Sequence, residues 1–214
     1  MHEINIIGLI NEIMNKDFSF FTISIFDGID FDTLSEVVSQ IENKDLESNI
    51  VTTLTTIPKI EDYFNPPAGG SHFPQFCIWK NHNYLNKVFF ISNYQDGLYS
   101  LCNAIHLQTK GNLIMCSLSN ESCLEHPFFH FHYSNSKFIE RDVLAYKEDK
   151  WIFYETGTPL DIENIHYYKN RMIKKRLNNT IIEEYLLKLG INLWNADSSI
   201  DKTITYKQLV WNPI

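Results

Sequence analysis

The sequence predicts an α+β fold, a mostly antiparallel sheet flanked by helices, and three observations lead to it. Short β-branched and aromatic segments come in runs joined by brief polar connections, which is the mark of hairpins and meanders. Segments with helical spacing fall between those runs without a regular strand-helix repeat. Third, 44% of the 214 residues are hydrophobic, with fifteen Phe, eleven Tyr and four Trp, enough to enclose a large core.

Each element follows from its pattern. Residues 18–26 (FSFFTISIF) alternate Phe21, Ile23 and Ile25 with Thr22 and Ser24, as a strand does. Thr33 and Glu36 read as a capping box, and Leu34, Val37, Val38 and Ile41 share one face of the helix that follows. Residues 50–57 mix threonine with apolar residues and read as a second strand closed by Pro58. Breakers then accumulate in FNPPAGGSHFP, so a single domain spanning 1–214 has its candidate subdomain boundary at 65–74. Beyond it, 87–92 reads as a strand, 97–110 as a helix stopped by Gly111, and 113–118 as a strand. Residues 128–133, 138–146 and 150–155 complete an antiparallel meander with a hairpin turn at 147–150. Helical spacing resumes at Asp161 and runs to Arg176. A last helix has Thr180 and Glu183 as its capping box, with Ile182, Tyr185, Leu186 and Leu189 facing inward. A closing strand is predicted within 203–211.

Charge is distributed unevenly. Residues 1–64 hold twelve acids against three bases, so the whole formal charge of −8 belongs to the first third. Asp27, Asp30, Asp32, Glu36, Glu42, Asp45 and Glu47 stand against Lys44 alone, a field that favours a basic partner and repels nucleic acid. Asp27, Asp30, Asp32, Glu36, Asp45 and Glu47 are the predicted partner-binding residues. The opening MHEINIIGLINEIM has no basic region and no small-residue cleavage site, and no apolar run approaches the roughly 20 residues that span a bilayer; a cytoplasmic protein without membrane contact is expected. Cys77, Cys102, Cys116 and Cys123 lack CxxC spacing, and reduced, mostly buried thiols are expected.

Five arrangements could carry chemistry, and each has a structural explanation beside it. His130 and His132 share a face of their strand, with Cys116, Cys123 and His126 near in sequence, but the spacing matches no standard zinc pattern and outward-facing polar residues explain it. Cys102 and His106 are one helical turn apart, yet Cys102 lies on the apolar stripe. Gly69, Gly70, Ser71 and His72 lack the lysine and helix of a phosphate loop. Glu155, Asp161 and Glu163 could pair as acid and base, while Asp161 and Glu163 also suit a helix N-terminus. Lys169 to Arg176 is basic, and a solvated helix face accounts for it.

The last third, with Trp151-Ile152-Phe153-Tyr154-Glu155, Gly157, Pro159-Leu160, Tyr168, Arg171, Arg176, Tyr185 and Leu189-Gly190, resembles small bacterial immunity proteins of contact-dependent growth inhibition and related polymorphic-toxin systems. The resemblance implies a cytosolic antidote that binds one cognate toxin domain, frequently a nuclease, and covers its active site or a neighbouring surface. It transfers no functional residue. The expected function is therefore a protein-binding inhibitor, with no catalytic residue, no metal and no cofactor. The rival expectation is a hydrolytic, metal-dependent enzyme with His126, His130, His132 and Glu155 lining its site.

Overall fold

A computed structural model describes residues 18–44, 60–69, 72–196 and 199–207. Among the described residues, eight antiparallel strands form one sheet: β1 (Phe20–Asp27), β2 (Gln75–Asn81), β3 (Lys87–Ser92), β4 (Asn112–Ser119), β5 (Phe128–Ser134), β6 (Glu140–Lys147), β7 (Trp151–Thr156) and β8 (Ile200–Lys207). Their order across the sheet is β7-β6-β5-β4-β1-β3-β2-β8, and the antiparallel sheet with its helices is the α+β fold that the sequence predicts. Strand β1, which precedes the Pro/Gly-rich loop, sits between β3 and β4, which follow it. The meander from β4 to β7 forms as expected.

Alternation on β1 sends its two rows of side chains to opposite faces, and both rows are buried. One face packs under helix α1 (Phe31–Lys44) and helix α2 (Tyr99–Thr109), which cover Phe26, Ile78, Val88, Phe90, Leu113 and Met115 with Leu34, Val38, Cys102 and Ile105. The other packs under helix α3 (Asn179–Lys188) and flanking 3-10 turns, with Ile182, Tyr185, Leu186 and Trp194 against Ile23, Trp79, Phe89, Phe129, Phe131 and Val143. Trp79 Nε1 and Asn81 Nδ2 both donate to the Ala196 carbonyl and so tie this second layer to β2. Among the described residues, no helix is long and apolar enough to cross a membrane.

Several sequence expectations need correction. Helix α1 is capped by Asp30, not Thr33: its carboxylate accepts the Thr33 N–H at 2.9 Å and the Thr33 hydroxyl at 2.6 Å. Those bonds hold the Asp30 carboxyl below its ordinary range. Helix α3 is capped by Asn178, whose side chain accepts from the Ile181 N–H, and Glu183 turns into the core instead of back to the cap. Helix α2 stops at Lys110 in the left-handed conformation, and Gly111 is required because a Cβ there would lie 2.5 Å from Ile29 Cγ1. The helix expected from Asp161 to Arg176 is absent; only 3-10 turns at Tyr167–Lys169 and Ile173–Lys175 form, and Ile165 and Met172 face solvent. Strand β2 has no counterpart in the sequence reading. The strand expected at 50–57, and residues 208–211 of the closing strand, lie outside the described residues.

The packing of α3 gives a direct test. Leu186 is fully enclosed, so Leu186→Ala should cost about 2 to 5 kcal/mol through lost burial and a residual cavity. Lys188 is exposed and pairs with Glu184, so Lys188→Ala should change stability by less than about 1 kcal/mol. Denaturant melts of the two variants should differ accordingly; equal effects would mean the face assignment is wrong.

Candidate functional site

Helix α2 reaches β5 at one end, where Tyr99 meets His132 and His106 bonds Ser134. Alternation places Phe128, His130, His132, Asp142, Leu144, Tyr146, Ile152 and Tyr154 on this face of β5, β6 and β7, with His132 buried and the others partly or fully exposed. Strand pairing aligns His130 with Leu144 and Tyr154, and His132 with Asp142. The aromatic rings form a continuous path. Phe20 lies 6.4 Å from Phe128, which is 5.9 Å from His130 and 6.1 Å from Tyr146. Tyr154 is 54% exposed, the most open of the group.

Within this face His130 Nε2 and His132 Nδ1 donate to the same atom, Asp142 Oδ1, at 2.9 and 2.8 Å. Burial works against ionisation of Asp142, but the two imidazole bonds outweigh it and hold the carboxyl well below the usual carboxylate range. Tyr99 of α2 stands edge-on to His132 at 5.8 Å, so α2 walls one side of the cluster. His132 is 1% exposed, and its Nε2 has no hydrogen-bond partner among the described residues. His126 is elsewhere, exposed and directed at the Lys147 carbonyl, and does not join the cluster.

The acidic residues are largely engaged within the chain. Asp27 pairs with Lys87 at 2.7 Å, Asp30 caps α1, Asp32 pairs with Lys202 at 2.7 Å, and Glu36 accepts from Gln40. Asp30, Asp32 and Glu36 nevertheless keep their side chains in solvent. Asp45 and Glu47 lie outside the described residues.

Of the remaining candidates, Cys102 and His106 make no dyad. Cys102 contacts Ser24 Oγ and the Gly97 carbonyl, and burial pushes its thiol up to about 12, while His106 Nε2 bonds Ser134 Oγ. Cys77, Cys102 and Cys116 are buried free thiols and Cys123 an exposed one. His72 is pinned to the Asn93 carbonyl and against Tyr94, while Gly70 and Ser71 lie outside the described residues. Arg176 lies over the Phe153 ring at 5.4 Å and donates to the Asn170 carbonyl, so it serves packing.

Glu155 and Glu163 do converge, but on a cation. Arg141, 1% exposed, makes a two-pronged contact to Glu163 at 2.9 and 2.7 Å, reaches Glu155 at 2.6 Å, and donates to the Thr156 and Gly157 carbonyls. Glu163 also accepts the Leu160 N–H and the Tyr168 hydroxyl, which in turn meets the Tyr185 hydroxyl at 2.9 Å. Burial alone would raise the Glu163 carboxyl; the Arg141, Leu160 and Tyr168 bonds bring it below its ordinary value. Asp161 takes no part in these contacts. Both carboxylates are bound up in neutralising Arg141, which leaves neither free for acid-base work.

No protein-family model, no curated protein and no solved structure matches the chain.

Glu163→Gln should destabilise the fold by about 3 to 5 kcal/mol, since it leaves the buried guanidinium with a single, partly exposed anion. A denaturant melt showing less than about 1 kcal/mol would remove Arg141–Glu163 as a structural tie. Glu183 behaves oppositely: burial pushes its carboxyl from 4.5 up to about 7, despite an opposing hydrogen bond from Trp194. The unfolded chain then loses this proton near 4.5 and the folded chain only near 7, so stability falls as pH rises through that window. Glu183→Gln should gain on the native protein by about 1 to 3 kcal/mol between pH 4.5 and pH 8. A difference independent of pH would refute this.

Proposed function

We propose that this protein is a protein-binding inhibitor, an immunity protein that neutralises a cognate bacterial toxin domain by direct contact. The observation that carries the reading is the partly exposed aromatic face of β5 to β7 beyond α2. An antiparallel sheet can leave one face to water, and such a face normally alternates to polar residues. Here it offers Phe128, Leu144, Tyr146, Ile152 and Tyr154, the residue types that anchor protein interfaces. The exposed acids of α1 on the same side of the sheet supply a field that speeds approach of a basic domain such as a nuclease. A cytoplasmic site of action belongs to the same reading, and inhibition by direct contact needs no cofactor.

The second reading, a metal-dependent hydrolase, draws on His130, His132 and Asp142 alone, because His126 points away and Glu155 is held by Arg141 on the opposite face.

Co-expression with the polypeptide encoded immediately upstream tests the proposal. The expected result is rescue of growth and a 1:1 complex on gel filtration. Tyr154→Ala with Tyr146→Ala should weaken that complex by about 30-fold or more, as loss of aromatic anchors does, with a near-native melting temperature. Glu36→Lys should slow association at low salt and leave dissociation unchanged. Failure of both rescue and complex formation overturns the proposal.

A further inference from the structure

We propose that His130, His132 and Asp142 form a binding site for one divalent transition-metal ion of the zinc class. Among the described residues these three converge, with a ligand atom from each lying within 4.8 Å of the others. Two strands build the site. His130 and His132 are two residues apart on β5, so both imidazoles stand on one face, and the β5–β6 register sets Asp142 directly opposite His132.

Two imidazole nitrogens and one carboxylate oxygen are a ligand set that zinc and iron(II) accept, and hard ions such as magnesium or calcium do not favour it. Around a tetrahedral zinc, ligand atoms stand roughly 3.4 Å apart. The observed N–O separations of 2.8 and 2.9 Å need to open by about half an ångström and the two imidazole nitrogens, within 4.8 Å of each other, to settle at the same spacing, which side-chain rotation supplies. On binding, each neutral imidazole shifts the proton now directed at Oδ1 to its other ring nitrogen, so no proton leaves the site, and the Asp142 carboxylate offsets one of the ion's two positive charges.

His132 is 1% exposed; its Nδ1 is the ligand atom beside Asp142, and its Nε2, without a hydrogen-bond partner among the described residues, carries the remaining proton. Asp142 and His130, at 23% and 19% exposed, keep the outer side of the cluster in contact with solvent. Three protein ligands under an open sheet face leave a coordination position for water or for a donor atom from a docked partner.

The site stands independently of the inhibitor reading, because metal uptake is measured on the protein alone. The full chain, stripped with a chelator and dialysed, is titrated with cobalt(II) followed by visible absorption, and with zinc(II) by calorimetry. One equivalent of each ion is expected, with visible cobalt bands of a four- or five-coordinate site. His130→Ala and Asp142→Asn should each weaken zinc binding by at least ~10-fold. His126→Ala should leave it unchanged. Melting the metal-free variants separates loss of ligands from loss of fold, and His130→Ala, at a half-buried position, is the variant least exposed to that ambiguity. Folded wild-type protein that takes up no stoichiometric zinc, or uptake unaltered in folded His130→Ala, overturns the assignment.

Discussion

A guanidinium fully enclosed by protein has to be met by anions and carbonyls on all sides, and Arg141 imposes that requirement on everything around it. The chain after β7 is shaped to meet it. Gly157 brings its carbonyl to Nη1 at 3.2 Å, at a φ of 84° and so close to the Glu140 carbonyl that any Cβ would collide with it. Glu163 then delivers both oxygens, and its remaining capacity is taken by Leu160 and Tyr168. Through Tyr168 and Tyr185 the same chain of bonds reaches α3. The layer that covers one face of the sheet is therefore registered by a polar network and driven onto the sheet by the apolar contacts of Ile182 and Leu186.

That requirement explains why the segment after Asp161 does not become a helix although its apolar spacing suits one. A regular helix there would have to swing Glu163 and Tyr168 to positions dictated by 3.6-residue geometry. The two short turns instead leave Glu163 on Arg141 and Tyr168 beneath it, at 5.7 Å from the guanidinium carbon. Burial of one cation outweighs the modest propensity of a few residues.

Legibility in the sequence follows the same division between local and distant causes. Strands β1, β3 and β4 to β7, and helices α2 and α3, rest on periodicity within one segment, and they were readable to within a residue or two. Strand β2 was hidden because it begins directly after Pro74 in the stretch richest in breakers. The cap of α1 is ambiguous in the sequence because both Asp30 and Thr33 are good cap residues, and only the fold shows the Asp30 carboxylate taking the Thr33 N–H. At the candidate site His130 and His132 were readable from their alternation, while Asp142 was not, because it lies on the next strand. Counting across the hairpin between β5 and β6 is the signal that pairs it with His132. Proximity in sequence pointed instead to His126, Cys116 and Cys123, none of which belongs to the cluster.

The division of labour among the acids narrows what recognition can rest on. Asp27 and Asp32 tie β1 to β3 and α1 to β8, and Asp30 holds the start of α1, so the local charge that the sequence advertises is partly spent on the fold. The exposed Asp32–Lys202 pair contributes little to stability, and the field of Asp27 and Asp32 is weakened by the lysines they hold. On the proposed inhibitor reading, what remains for these acids is long-range steering, which would set how fast a basic partner arrives and not how long it stays. Residence would then rest on desolvated contact, which the described surface offers beyond α2, on the aromatic rows of β5 to β7 around Asp142 and its two histidines.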